Sequence, residues 1–154
     1  MAKKATAQDA QVVMQLYDLR REAEMRKARS WYLGEFWPRS ADDFIKVTSA
    51  FATQENAWMR QVTGYWDMAA SLVLHGAIHE ELFLSPGISG EMFFMFAKAQ
   101  PFLKEIREKM GNPNVMGNIE KVATGSKLAR KQLERVSKNV ENRRKMMAKS
   151  AKAN

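Results

Sequence analysis

The chain has 154 residues and a net charge of +8, with 45% hydrophobic and 27% charged residues. This length fits one domain and the composition fits a globular protein, which excludes wholesale disorder and a fibrous repeat. The lack of cysteine excludes a disulfide framework, thiolate metal sites and a cysteine nucleophile. No apolar run approaches the roughly 18 residues of a membrane span, and no secretory signal follows Met1. We therefore expect a cytoplasmic protein.

Charge divides the chain near residue 125. Residues 126–154 contain ten basic and two acidic side chains, so their net charge of +8 equals that of the whole chain. All 15 aromatic residues lie before residue 126. We expect a neutral, aromatic-rich helical body over 1–125 and a basic C-terminal helix or tail over 126–154, which is either part of the same domain or an extension of it.

The first predicted helix runs from about Asp9 to about Glu35, because apolar residues recur at helical spacing and Pro38 disfavours helix at Trp37. A second helical pattern follows Ser40 over about 41–74. It is either one curved helix or two helices with a break near 53–56.

The third predicted boundary is His75-Gly76, where glycine supplies a left-handed residue. A short helix over about 80–84 follows, and a longer one begins near Ser89. This longer helix is kinked near Pro101 and stops at Gly111.

Asn112-Pro113 is typical of the start of another short helix, and Ser126 can cap the last one. Few stretches alternate with the period of a strand. The sequence therefore predicts an all-α fold: a single elongated bundle of five or six helices that ends in a basic helix.

The basic segment is the strongest functional signal. Like charges along a helix repel one another, and an anionic partner would offset that repulsion. The backbone of RNA or DNA fits, without base stacking, because the segment lacks aromatic residues. An acidic protein or a sister subunit also fits. A membrane surface is disfavoured by the thin apolar line, and a solvated helix without a partner stays open. The candidate partner-binding residues are Lys127, Arg130, Lys131, Arg135, Lys138, Arg143, Arg144, Lys145 and Lys149.

Asp67 lies in a mostly apolar stretch, where a carboxylate is costly to bury without a partner. We expect a structural ion pair with an arginine. The candidate arginines are Arg20, Arg21 and Arg60.

His75 and His79 are four residues apart, as in some metal sites, but Gly76 separates them. We favour helix-end roles for both histidines, His75 at the end of one helix and His79 as the cap of the next. We assign no catalytic residue, metal or cofactor.

Two other interpretations stay open for the body. Its aromatic residues, which include four tryptophans, would either form the core or line a pocket for a small apolar ligand. The helix face from Met92 to Met110 would either pack internally or mediate self-association into a homo-oligomer.

Several motifs are distinctive as a set: Leu16-Tyr17-Asp18-Leu19-Arg20-Arg21-Glu22, the Trp37 region, Val62-Thr63-Gly64-Tyr65-Trp66-Asp67-Met68-Ala69-Ala70, His75-Gly76-Ala77-Ile78, Pro101-Phe102-Leu103 and Gly111-Asn112-Pro113. Through these motifs, over about residues 14–123, the chain resembles an uncharacterised family of small bacterial helical proteins. The resemblance implies a bacterial origin and a helical fold. It implies no activity and does not include the basic segment.

Overall fold

The computed structural model describes residues 3–153, in which helices are the only regular elements. The all-α prediction is confirmed, but the helical segments are more numerous than the predicted five or six. They are α1 (Ala7–Leu19), α2 (Ala23–Ser30), a π-helix (Trp31–Glu35), α3 (Ala41–Ser49), α4 (Gln54–Leu74), α5 (Glu80–Phe83), α6 (Pro86–Ala99), a 3₁₀ turn (Gln100–Phe102), α7 (Leu103–Met110), α8 (Gly117–Gly125) and α9 (Lys127–Ala153).

The prediction of one helix over about 9–35 was wrong, because a cap at Glu22 divides this segment. Thr6 and Asp9 form a capping box at the start of α1. The carboxylate of Glu22 then accepts hydrogen bonds from the backbone N–H groups of Glu24 and Met25, which starts α2 in a new direction. Arg20 lies at the break and donates to two carbonyls at the start of α6.

The second helical pattern breaks where one of the two alternatives placed it. Thr53 accepts a hydrogen bond from the N–H of Asn56 and starts α4. Asn56 is buried, and its amide donates to the last carbonyls of α3, at Val47 and Thr48. Hydrogen bonds at the start of α4 and at the end of α3 therefore fix the position of the break.

Gly76 and Gly111 both have positive φ and end α4 and α7, as predicted. A 3₁₀ turn over Gln100–Phe102 separates α6 from α7 at Pro101, where a kink in one continuous helix was predicted. Helix α6 begins at Pro86 rather than near Ser89, because proline fits the first helical position.

The core lies between α2, α4, α6 and α8, and α3, α7 and α9 pack around them. Its largest fully buried apolar side chains include Trp66, Tyr32, Phe83, Phe93 and Phe96. Within residues 3–153, we find no helix with both the length and the apolar character that a bilayer crossing requires.

Candidate polyanion-binding helix

Helix α9 is docked on the body along one face. The Ser126 hydroxyl accepts a hydrogen bond from the N–H of Ala129, which confirms the predicted cap. Ala129, Leu133 and Val140 are buried against α6 and α8. The thin apolar line of the sequence is therefore the docking face, and the opposite face of α9 is left to solvent.

Arg144 holds α9 to the body near the end of the docked part. Its guanidinium donates to the carbonyls of Pro38 and Lys98, the latter at 2.7 Å. It also lies over the ring of Phe102, 5.4 Å from the ring centre. Arg144 is half-buried, and burial lowers its pKa. Arg130 also donates to a carbonyl, that of Thr124, but it is exposed. Because Arg144 is half-buried and binds two carbonyls of the body, we assign it an anchoring role.

Six lysines form one row on the solvent-exposed face of α9. Their spacing along the chain is four, seven, seven, four and three residues, which places them within an arc of roughly 60° on an α-helix. At about 1.5 Å per residue, the row is about 37 Å long. We call this set the lysine row: Lys127, Lys131, Lys138, Lys145, Lys149 and Lys152.

The body does not neutralise the lysine row. Lys138 pairs with Glu134 at 3.1 Å and Lys145 with Glu141 at 2.8 Å, both within α9 and one turn apart. In the part of the chain that the structure describes, no carboxylate of the body pairs with a cation of α9. The positive charge of the row is therefore available at the surface.

A fully buried lysine that no sequence pattern predicted, Lys98, lies beneath α9. The Nζ of Lys98 donates to the carbonyls of Tyr32, at 2.6 Å, and Leu33, at 3.3 Å, both in the π-helix. It also lies 3.9 Å from the centre of the Trp37 ring. The two carbonyls and the ring face stabilise an ammonium group, and no carboxylate within residues 3–153 pairs with it.

The pKa of Lys98 is lowered to about 7. Burial is the largest cause, and the positive charges of Arg144 and Arg143 on α9 add to it. The docking of α9 and the charge of Lys98 are therefore linked. No local sequence pattern indicates this, because the cage for Lys98 is assembled from α6, the π-helix and α9.

Within residues 3–153, Asp67 forms no ion pair with an arginine, so the expected structural ion pair is absent. Its carboxylate accepts hydrogen bonds from the backbone N–H groups of Asn118 and Ile119 and from the Asn118 amide, at 2.8–3.3 Å. These are the free N–H groups of the first turn of α8, and a carboxylate there also matches the positive end of the helix dipole. Asp67 thus caps α8 from α4.

This tertiary cap explains why α8 begins at Gly117 and not, as predicted, at Asn112-Pro113. Met116, which precedes it, has a positive φ and offers no side-chain cap. The cap comes from α4, so the local sequence could not reveal it.

The two histidines lie at helix ends, as favoured. His75 Nδ1 lies 2.8 Å from the carbonyl of Ser71 at the end of α4. The Nδ1 of His79 accepts a hydrogen bond from the N–H of Leu82 and so caps α5. Residues 3–153 contain no group of three metal-ligating side chains placed to hold a metal ion.

The aromatic residues pack mainly against one another. Trp31 stacks on Phe36 with ring centres 5.1 Å apart, and Tyr65 meets Trp66 edge-on at 4.9 Å. A cavity lined by Tyr17, Tyr65 and Trp66 has a volume of only about 20 Å³. That space suits a single water and not an organic ligand.

The helix face proposed for self-association is used inside the chain. Met92, Phe96, Leu103 and Ile106 are all buried, and only Met110 at its end is exposed. A second copy of the chain has no access to this face without disrupting the core.

Residues 5–126 match the family described as a domain of unknown function, DUF4760. The match ends one residue before α9 begins, so the lysine row lies outside it. The comparisons with curated proteins and with solved structures gave no match. Because the matched region covers most of the chain and nearly the whole body, this protein belongs to the DUF4760 family.

Proposed function

We propose that this chain is a non-enzymatic interaction protein whose helix α9 binds the phosphate backbone of a nucleic acid. The lysine row is the observation that supports this proposal. It is a straight cationic edge on a helix whose other face is fixed to a folded body. We keep a cytoplasmic location and a bacterial origin as parts of the proposal.

The geometry of the row suits a polymer of negative charge. Duplex DNA carries one negative charge per about 1.7 Å of its axis, so a row about 37 Å long spans many phosphates. Four lysines of the row have no ion partner within residues 3–153: Lys127, Lys131, Lys149 and Lys152. Each can replace a condensed counterion, which gives affinity without base contacts. The lack of aromatic residues in α9 favours duplex over single-stranded binding.

The docked state of α9 disfavours a membrane surface as the partner. An interfacial helix inserts an apolar face among the lipids, but the apolar face of α9 is buried against α6 and α8. Insertion would require the helix to leave the body and break the contacts of Arg144.

An acidic protein surface is the second candidate, because an extended carboxylate array matches the same row. An extended acidic polypeptide carries at most one carboxylate per about 3.3–3.6 Å, whereas duplex DNA carries one phosphate charge per about 1.7 Å. We therefore expect a weaker complex with acidic polypeptides than with nucleic acid at equal salt concentration.

The test is a fluorescence anisotropy titration of the full chain with labelled duplex DNA, duplex RNA, poly-glutamate and anionic vesicles. In one variant, the four unpaired lysines of the row are changed to glutamine. The matched control carries glutamine at four exposed lysines of the body and has the same net charge: Lys4, Lys46, Lys104 and Lys121.

We expect the row variant to bind either duplex at least about 30-fold more weakly than the unaltered chain, because it loses four phosphate contacts. The body variant should retain most of the affinity. If the two variants lost the same affinity, binding would depend only on net charge, and this result would contradict a specific role of the lysine row. Tighter binding to poly-glutamate than to either duplex would support the acidic-protein candidate instead.

A further inference from the structure

We propose that a groove between α9 and the turn that joins α5 to α6 binds a small amphipathic monocarboxylate, with an acyl chain on its floor and a carboxylate at its rim. This groove has a volume of about 490 Å³, within the range of small-molecule sites. We call it the α9 groove. It lies beside the lysine row and has a different chemical character.

The floor of the α9 groove is apolar. Leu84 is buried beneath it, Pro86 lies at the start of α6, and Leu128 contributes from α9. Leu128, which follows Lys127 in the sequence, is 49% exposed. A ligand chain that covered Leu128 and Pro86 would gain hydrophobic free energy from surface that the fold leaves in water.

The rim of the groove carries a net charge of +1. Lys131 and Arg135 line it from α9, and Glu81 lines it from α5. An arginine fork binds a carboxylate through two parallel hydrogen bonds. A single negative charge balances the rim, whereas a doubly charged phosphate monoester would also meet the carboxylate of Glu81. The rim therefore favours a monocarboxylate.

An unpaired polar group independently indicates a ligand. Gln132 lines the groove and is only 7% exposed, and its Nε2 amide has no hydrogen-bond partner within residues 3–153. A buried donor without a partner costs free energy, and in this rotamer the Gln132 nitrogen is shielded from the groove. Rotation about the terminal side-chain bond, whose torsional wells are broad, would present this donor to a ligand. The hydroxyl of Ser85 also lines the groove and makes no cap hydrogen bond at the start of α6.

These four residues of α9 share one stripe. Leu128, Lys131, Gln132 and Arg135 follow the three- and four-residue steps that align side chains on a helix. Lys131 also belongs to the lysine row, whereas Leu128, Gln132 and Arg135 lie between the row and the docked face. Changes at these three residues therefore test the groove without altering the row.

The experiment is an NMR titration of the isotope-labelled full chain with sodium octanoate below its micelle concentration. We expect saturable shifts at the Leu84 and Leu128 methyl groups and at the side-chain amide of Gln132. Octan-1-ol has the same chain without the charge, and octyl phosphate has a doubly charged head. Both should bind at least about tenfold more weakly. Octanol lacks the charged hydrogen bond to Arg135, and the second charge of octyl phosphate is repelled by Glu81.

Arg135→Gln should weaken octanoate binding about tenfold, because the arginine fork is lost. Arg143→Gln removes the same charge from the same helix outside the groove, and octanoate binding should stay within about twofold of the unaltered chain. Gln132→Leu should keep or raise the thermal stability of the free protein and weaken octanoate binding, since it removes the unpaired donor.

The absence of a saturable shift would overturn the proposal. Equal affinity for octanol and octanoate would overturn the carboxylate assignment, and tighter binding of octyl phosphate would overturn the monoanion assignment. Equal losses in the Arg135 and Arg143 variants would reduce the binding to general attraction by a cationic helix and overturn a built site.

Discussion

In the body, partly buried ion pairs join helices that are far apart in sequence, whereas the ion pairs of α9 join exposed side chains one turn apart. Arg29 of α2 binds Glu91 of α6 at 2.6 Å, and Arg107 of α7 binds Glu120 of α8 at 3.1 Å. Both ion pairs of α9 lie within the helix and involve exposed side chains.

The partly buried ion pairs of the body thus contribute to the packing of the fold, and most charges of α9 do not. Two cations differ from this pattern, Lys98 of α6 beneath α9 and Arg144 of α9 itself. Lys98 and Arg144 bind backbone carbonyls instead of carboxylates, and they connect α9 to the π-helix region. Positive charge in this protein therefore has two uses, to hold α9 in place and to present a cationic edge to a partner.

Loss of a body ion pair should give the largest change in stability. Glu91→Gln leaves the half-buried Arg29 without a counter-charge and weakens the hydrogen bond from the Trp66 indole. We expect the free energy of unfolding to fall by about 3 kcal/mol in urea denaturation at neutral pH.

The matched control is Glu24→Gln, which removes the partner of Lys27 in an exposed pair on α2. Such pairs contribute little because water and salt screen them. We expect no measurable change in stability. A loss as large as that of Glu91→Gln would show that the two kinds of ion pair do not differ as the comparison requires.

The titration of Lys98 should give the next largest effect. The pKa of Lys98 is about 7 in the folded protein and about 10.5 in the unfolded chain. Between these values the unfolded chain binds more protons, so stability rises with pH. We expect a gain of about 2 kcal/mol from this group between pH 7 and pH 9.

Lys98→Met isolates this contribution, because methionine has a similar length and no charge. The rise in stability with pH should be much smaller in this variant than in the unaltered chain, measured by urea denaturation across the same pH range. An equal rise in both proteins would show that Lys98 remains protonated throughout.

Removal of the Arg144 side chain should lower the free energy of unfolding by a somewhat smaller amount. Arg144→Gln leaves the carbonyls of Pro38 and Lys98 without their donor, and we expect a loss of about 1.5 kcal/mol. Hydrogen exchange should also speed up in α9. The neighbouring Arg143→Gln serves as the control, because Arg143 is exposed. If both variants have equal effects, Arg144 is an ordinary surface cation like the rest of α9.

Loss of the helix cap that Asp67 provides should have the smallest effect on the free energy of unfolding. Asp67→Ala removes the acceptor for the first N–H groups of α8, and we expect a loss of about 1 kcal/mol in thermal or urea unfolding. Asp67→Asn keeps one acceptor oxygen and should lose less. If the alanine variant were as stable as the unaltered chain, water would satisfy this helix end as well as Asp67 does.

Features set by neighbouring residues were predictable from the sequence, and features set by distant ones were not. Gly111 and Ser126 mark helix ends through their own backbone or hydroxyl, so both were found. Asp67 caps a helix about 50 residues away, and Lys98 is caged by residues from other elements. The charge split identified α9, but only the docking face separated Arg144 from the exposed cations.

The salt dependence of duplex binding tests most directly whether the lysine row recognises a phosphate backbone. A plot of the logarithm of the association constant against the logarithm of salt concentration gives the number of phosphates neutralised, at about 0.9 per contact. With four unpaired lysines in the row, we predict a slope of about −3.6 for the unaltered chain and a slope near zero for the row variant. A slope that is the same in the unaltered chain and the row variant would contradict a role of the lysine row in phosphate binding.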